Sequence, residues 1–241
     1  MSRARATLSV AALAALLIVP AAGQQSQTDR ESPAGGRGSL AAPSLLFRET
    51  WRLEGRPHAI EVGANVLTNP NLELKLYGPC ATAQNPDQRI WISGPPANLW
   101  TGMCTVPFAA ALRHKQRYVD LSGLAKMRWV TRASGFHAVR PIVKLADGTA
   151  LVGDYADSST TVFAEREFAF AGMRWMKLDL ERIVTTGTYG PLGEASNWLP
   201  QPDLRKVDEV GFTDLMRGSG GGPGGGSRVD WIEVYGNRIP R

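Results

Sequence analysis

The chain has 241 residues, is 43% hydrophobic and 20% charged, and carries a formal net charge of +5. That charge is a weak bias with no Lys/Arg run behind it, so a nucleic-acid partner is not expected. The two cysteines, Cys80 and Cys104, lie far apart, which excludes C-x-x-C redox chemistry.

The N-terminus opens with Arg3 and Arg5, continues as an apolar run from Leu8 to Val19, and breaks at Pro20 before Ala21, Ala22 and Gly23. This order is that of a secretory signal peptide cleaved after Gly23. The run is shorter than the ~20 apolar residues of a membrane span, so the mature chain is expected to have none. No Cys follows the cleavage point to carry a lipid, and Ala4 splits the arginine pair, which argues against a twin-arginine signal. Cleavage removes two positive charges and lowers +5 to +3. A secreted or periplasmic protein is expected: signal peptide 1–23, then a Gln/Ser/Gly/Ala/Pro-rich disordered linker 24–43, then one β-domain over 44–241.

Within that domain, short runs of strand composition alternate with turn residues. They are Leu45–Trp51, Leu72–Tyr77, Arg89–Ile92, Lys126–Arg132, His137–Leu145, Ala150–Tyr155, Thr161–Phe170, Arg174–Leu180, Glu209–Leu215 and Arg228–Tyr235. Such spacing predicts an all-β, antiparallel sandwich or barrel. Short helical turns are expected at Phe108–Leu112 and at Asp203–Val207, the second capped by Asp203. Asp147-Gly148 marks a hairpin. Pairing Ala146 with Thr149 sets Leu145 opposite Ala150 and Arg140 opposite Tyr155. With a turn at Ser134-Gly135, alternation then places Met127, Trp129, Val139, Val143 and Leu145 on a core face. Arg128, Arg132, Arg140 and Lys144 share the opposite face, with Tyr155 beside Arg140. That cationic row is either a solvated sheet face or a ligand surface, since guanidinium forks recognise carboxylates and hydroxyl-rich ligands.

In an exported chain, Cys80 and Cys104 read as a disulfide closing a loop of about 25 residues, worth on the order of 3 kcal/mol; the alternative is two free buried thiols.

The chain resembles the galactose-binding-like jelly rolls, a group that includes carbohydrate-binding modules and the family of complex I intermediate-associated protein 30. The residues that carry the likeness are Val119-Asp120-Leu121-Ser122-Gly123 before Met127–Thr131, Gly135-Phe136 with Arg140–Leu145, Trp175 with Leu178-Asp179-Leu180, and Val207–Leu215 followed by a Gly-rich loop and Val229–Tyr235. Uncharacterised exported bacterial proteins share this architecture. The resemblance implies a jelly-roll β-sandwich and suggests sugar binding; it brings no catalytic residue with it.

Sugar sites stack rings on aromatic faces and bond hydroxyls with Asp, Asn, Arg and Gln. Arg89–Cys104 holds Trp91, Asn98 and Trp100; Tyr189–Trp198 holds Tyr189, Asn197 and Trp198. Each of these tryptophans is a sugar platform or a plug over the core, whereas Trp51, Trp129 and Trp231 lie within strands and read as core. Asp154, Asp157, Glu165, Glu167, Asp179 and Glu194 show no glycosidase spacing. His58, His114 and His137 lack zinc-ligand spacing. Gly220, Gly222 and Gly225 form G-x-G-x-x-G, but a strand follows them instead of a helix, so no phosphate cradle is expected. The resemblance also raises a structural calcium between terminal strands, for which Glu49 and Asp230 are the acids to try. The leading expectation is a monomeric, non-catalytic carbohydrate-binding module. A glycan-active jelly-roll enzyme and a protein-interaction module are the alternatives.

Overall fold

Sixteen strands, numbered in chain order, and one 3-10 turn at Pro79–Ala81 form the fold, with no α-helix among the described residues. The computed structural model describes residues 42–241 apart from 62–64, 86–87, 102, 184–197, 200 and 217–224. The expected signal peptide, most of the expected linker, Tyr189, Glu194, Asn197 and most of the Gly-rich motif lie outside the described residues.

Seven strands make sheet A: β1 (Leu45–Glu49), β2 (His58–Ala59), β4 (Trp91–Ser93), β5 (Asn98–Trp100), β8 (Lys126–Ala133), β11 (Ala164–Ala169) and β15 (Ser227–Tyr235). Their order is β11-β8-β15-β5-β4-β2, with β1 on the same edge of β15 as β5. Nine strands make sheet B: β3 (Leu72–Tyr77), β6 (Phe108–His114), β7 (Arg117–Asp120), β9 (Val139–Leu145), β10 (Ala150–Gly153), β12 (Trp175–Lys177), β13 (Trp198–Leu199), β14 (Val207–Asp214) and β16 (Asn237–Pro240). Here the order is β13-β12-β10-β9-β14-β6-β3, and β7 joins β14 to β16. The chain is an antiparallel β-sandwich, as its sequence predicts, and all ten expected runs contain a strand.

The core lies between the sheets. Met127, Trp129, Val229, Ile232 and Val234 from sheet A meet Phe108, Leu112, Val143, Val210 and Phe212 from sheet B. Trp129 packs edge-on to Phe168 at 5.0 Å, and Tyr155 stacks on Phe168 at 4.2 Å. The disulfide forms between Cys80 and Cys104, both buried.

Four local expectations are corrected. Phe108–Leu112 is not a helical turn but the body of β6, held between β14 and β3. Alanine favours helix locally, but here tight sheet packing overrides propensity. A Cβ on Gly211 of β14 would strike the Ala110 carbonyl oxygen and stand 2.5 Å from the Cα of Ala111. Asp203 caps no helix: its carboxylate accepts from the backbone N–H and guanidinium of Arg205 just before β14. The β9–β10 hairpin is one residue out of the expected register. Ala150 faces Lys144, because a three-residue loop ends at Gly148 with φ 92°, the left-handed position of a bulged turn.

The fourth correction matters most for function. β8 and β9 do not pair. Both edges of β8 are taken by β15 and β11, and those of β9 by β14 and β10. The turn at Ser134-Gly135 therefore carries the chain from one sheet to the other.

Candidate functional site

The crossing at Ser134-Gly135 splits the expected cationic row. Arg128 and Arg132 stand on the outer face of sheet A, whereas Arg140 and Lys144 stand on the outer face of sheet B. Tyr155 is not beside Arg140; its ring lies in the core aromatic cluster and its hydroxyl donates to Asp157 at 2.8 Å.

Sheet A gathers the aromatic and basic residues into one corner. β4 and β5 form a hairpin that sets Trp91 directly opposite Trp100, with indole centroids 6.2 Å apart at 76°. β15 continues the row by placing Arg228 opposite Trp100, and β8 places Arg132 opposite Arg228. The Arg228 guanidinium lies 4.5 Å from the centre of the Trp100 ring. Its Nη1 donates to Asn98 Oδ1 at 3.0 Å and Ser93 Oγ at 3.2 Å. Asn98 is itself fixed, because its Nδ2 donates to the Pro96 carbonyl at 2.7 Å. Burial, and then the charge of Arg132, hold the Arg228 guanidinium below its usual value. Among the described residues no carboxylate pairs with Arg132 or Arg228.

The far end of the same face is charge-balanced. Glu233, only 5% exposed, takes the guanidinium groups of Arg48 and Arg128 at 2.9 Å each. Arg128 also pairs with Glu165 and, at 3.5 Å, with Glu167. Trp231 belongs to this surface, not to the core: Arg48 lies 4.8 Å and Arg128 5.7 Å from its ring centre. The Arg128 fork is therefore committed within the protein, whereas Arg132 is exposed and open to solvent.

On sheet B, Lys144 Nζ donates to the Tyr77 hydroxyl at 3.2 Å and to Glu209 Oε1 at 3.3 Å, and Tyr77 donates to Glu209 Oε2 at 2.6 Å. Burial and the Glu209 carboxylate push the Tyr77 phenol far above its usual value. Beside this trio, Ala109 and Ala111 pack with Ile142, Met176, Leu178, Ile183 and Leu215 in a second apolar cluster over the sheet. Arg140 donates to the Asp154 carbonyl at 3.3 Å. Trp198, on β13, has the Arg174 guanidinium 4.8 Å from its ring centre. None of these residues joins the sheet A corner.

Of the two acids expected for calcium, Glu49 has its carboxylate already taken by protein donors. The carboxylate of Glu49 is fully buried and accepts from the backbone N–H groups of Thr50, Trp51, Thr68 and Asn69 and from Thr68 Oγ1, at 2.8 to 3.1 Å. Five donors turn their positive ends toward the place a calcium ion would need. Among the described residues no group of three or more His, Cys, Asp or Glu side chains could hold a metal.

His137, Asp214 and Ser227 also meet, buried. His137 Nδ1 lies 2.7 Å from Asp214 Oδ2, and the Ser227 hydroxyl donates to that same oxygen. Serine and imidazole both address the carboxylate, so the imidazole is not placed to activate the serine. The corner's missed members are Arg228 and Ser93. Strict alternation back from Ile232 and Val234 would put Arg228 in the core; the register shift between Val229 and Trp231 turns it outward, and no local sequence signal announces that shift.

No protein-family model matches the chain. No curated protein matches it either. Among solved structures it is similar to the family 11 carbohydrate-binding module of the cellulosomal cellulase Lic26A-Cel5E of Clostridium thermocellum, with 14% identity and a TM-score of 0.39 over 83% of this chain and 97% of that one. A second, from the same organism, is a family 11 carbohydrate-binding module in complex with a β-1,3-1,4-mixed-linked tetrasaccharide, with 13% identity and a TM-score of 0.37 over 78% of this chain and 100% of that one. Overlays of this quality carry no argument about what the present chain binds. Neither structure is a complex I intermediate-associated protein, and that part of the resemblance has no support.

Proposed function

We propose that the chain is an exported, non-catalytic carbohydrate-binding module that takes its ligand at the sheet A corner of Trp91, Trp100, Arg132 and Arg228. The observation that carries the reading is the Trp91–Trp100 pair beside a guanidinium already oriented by Asn98 and Ser93. Indole rings give a sugar ring an apolar platform with few rotors to order, and fixed N–H groups beside them bond its hydroxyls. Placing both on strands, not loops, means the corner is formed before ligand arrives.

The test is an immobilised glycan panel probed with the exported chain and with Trp91→Ala and Trp100→Ala. Each variant is expected to lose about tenfold or more in affinity, the weight of one aromatic contact, with its fold unchanged by circular dichroism. Full retention of glycan binding by both variants would remove the corner from the reading. Reducing-sugar release that a single acid-to-amide change abolishes would replace binding by catalysis. Export is tested separately, by N-terminal sequencing of the protein recovered outside the cytoplasm, which is expected to begin at Gln24.

A further inference from the structure

The geometry points to an acidic sugar, a glycan bearing a carboxylate or sulfate on its ring, as the ligand of the corner, its anionic group held between Arg132 and Arg228. This rests on the carbohydrate-binding reading and narrows it.

Arg132 and Arg228 stand directly opposite each other across an antiparallel pair. Side chains in that relation are close neighbours, and two like charges so placed repel. Elsewhere on the same face such repulsion is neutralised. Arg48 and Arg128 flank β15 as Arg132 does, and Glu233 is set between them with both pairs at 2.9 Å. At the Arg132–Arg228 pair no described carboxylate plays that part. Asp230, the nearest acid along β15, makes no ion pair with either arginine among the described residues.

Arg228 is also poised rather than idle. Nη1 is anchored on Asn98 and Ser93 and the plane lies over Trp100, so the fork is fixed in orientation. Among the described residues its Nε and Nη2 have no partner. A planar fork with unused donors suits a carboxylate or sulfate, which accepts two parallel N–H bonds. An incoming anion would relieve the repulsion and gain charge-assisted bonds together. A neutral sugar would accept single bonds through its hydroxyls and leave the repulsion in place.

The experiment measures binding of the full exported chain to polygalacturonate, to its neutral methyl ester, to a neutral β-glucan, to dextran sulfate and to single-stranded DNA. An anionic glycan is expected to bind at least about tenfold more tightly than the ester, and to weaken as salt rises. Arg132→Gln is expected to erase that preference. Because Arg132 is exposed, the variant should fold, and an unchanged melting temperature verifies it. Arg228→Gln should act in the same direction. Tighter binding of dextran sulfate than of polygalacturonate supports the proposal and assigns the group as sulfate; the reverse supports it as carboxylate. Equal binding of polygalacturonate, dextran sulfate and the neutral ester, or an Arg132→Gln variant that keeps the preference, overturns the proposal while leaving carbohydrate binding intact. Binding of no glycan, or of DNA above all glycans, overturns both.

Discussion

The indole Nε1 of Trp129 donates to Asp157 Oδ2 at 2.6 Å, with both residues sealed between the sheets. Thr131 Oγ1 donates to the same oxygen at 3.0 Å, and the Tyr155 hydroxyl donates to Oδ1 at 2.8 Å. Asp157 also joins the sheets through its backbone, exchanging both hydrogen bonds with Val139. Asp157 thus ties β8 through its carboxylate and β9 through its backbone to the β10–β11 connection. Asp157→Ala would strand two buried donors and the part-buried Tyr155 hydroxyl, and the expected loss is about 3 kcal/mol or more in urea unfolding. Thr131→Val removes one donor together with its need for a partner and should cost about 1 kcal/mol. An Asp157→Ala loss no larger than that of Thr131→Val would show that the donors find other partners.

The core was legible in the sequence for a reason that also hid the site. Met127, Trp129, Val139 and Val143 point to one interior whether β8 and β9 are neighbours or lie in facing sheets, so a wrong pairing still yields the right core. The outer residues have no such protection. Arg128 and Arg140 would be neighbours in a meander but are on opposite outsides of a sandwich. Strand alternation is a local signal; which strands pair depends on partners distant in the chain, such as β15 for β8. Short strands were missed for a related reason: β5 and β13 lack the alternating run that would announce them. Phe108–Leu112 was misread because alanine's local preference is for helix, while its use here is small size beside Gly211.

Stability is expected to rise with pH across the range where an unfolded histidine loses its proton. His114, at the end of β6, is held below its ordinary value of 6.5 by burial and then by Arg117, Arg238 and Arg241. As a neutral ring it also accepts from the Gln116 N–H at 3.2 Å. A base with a depressed folded value binds protons more weakly when folded, so falling pH favours the unfolded chain. The stabilising contribution is present above about 6.5 and lost below it. Urea midpoints on either side of that value should differ in the native chain, and the difference should shrink in His114→Gln. An unchanged slope in the variant would assign the effect to other groups.

Chelation should leave the melting temperature unchanged, because the buried Glu49 carboxylate is occupied by protein donors. The same donors make Glu49 costly to remove. Glu49→Ala leaves the buried N–H of Trp51 and the part-buried N–H of Thr68 unbonded, and about 2–4 kcal/mol should be lost. Trp51 adds to this, since its backbone takes φ 54° and its Nε1 donates to the Val229 carbonyl at 2.9 Å. A melting temperature lowered by chelator and restored by calcium would mean that an ion displaces these bonds.

Lys144 provides the sharpest contrast between the two outer faces. Its ammonium answers Glu209, which is only 3% exposed, and the Tyr77 hydroxyl bonded to the same carboxylate. Lys144→Met would leave that carboxylate with one neutral donor, and the expected loss is about 1–3 kcal/mol, moderated because Lys144 itself is partly exposed. Glycan affinity should not change, since Lys144 lies on sheet B, away from Trp100 and Arg132. Arg132→Gln should do the reverse, sparing stability and lowering affinity. If Lys144→Met instead weakened binding at unchanged stability, the ligand would belong on sheet B, and the apolar cluster of Ile142, Met176 and Leu178 would have to open to admit it.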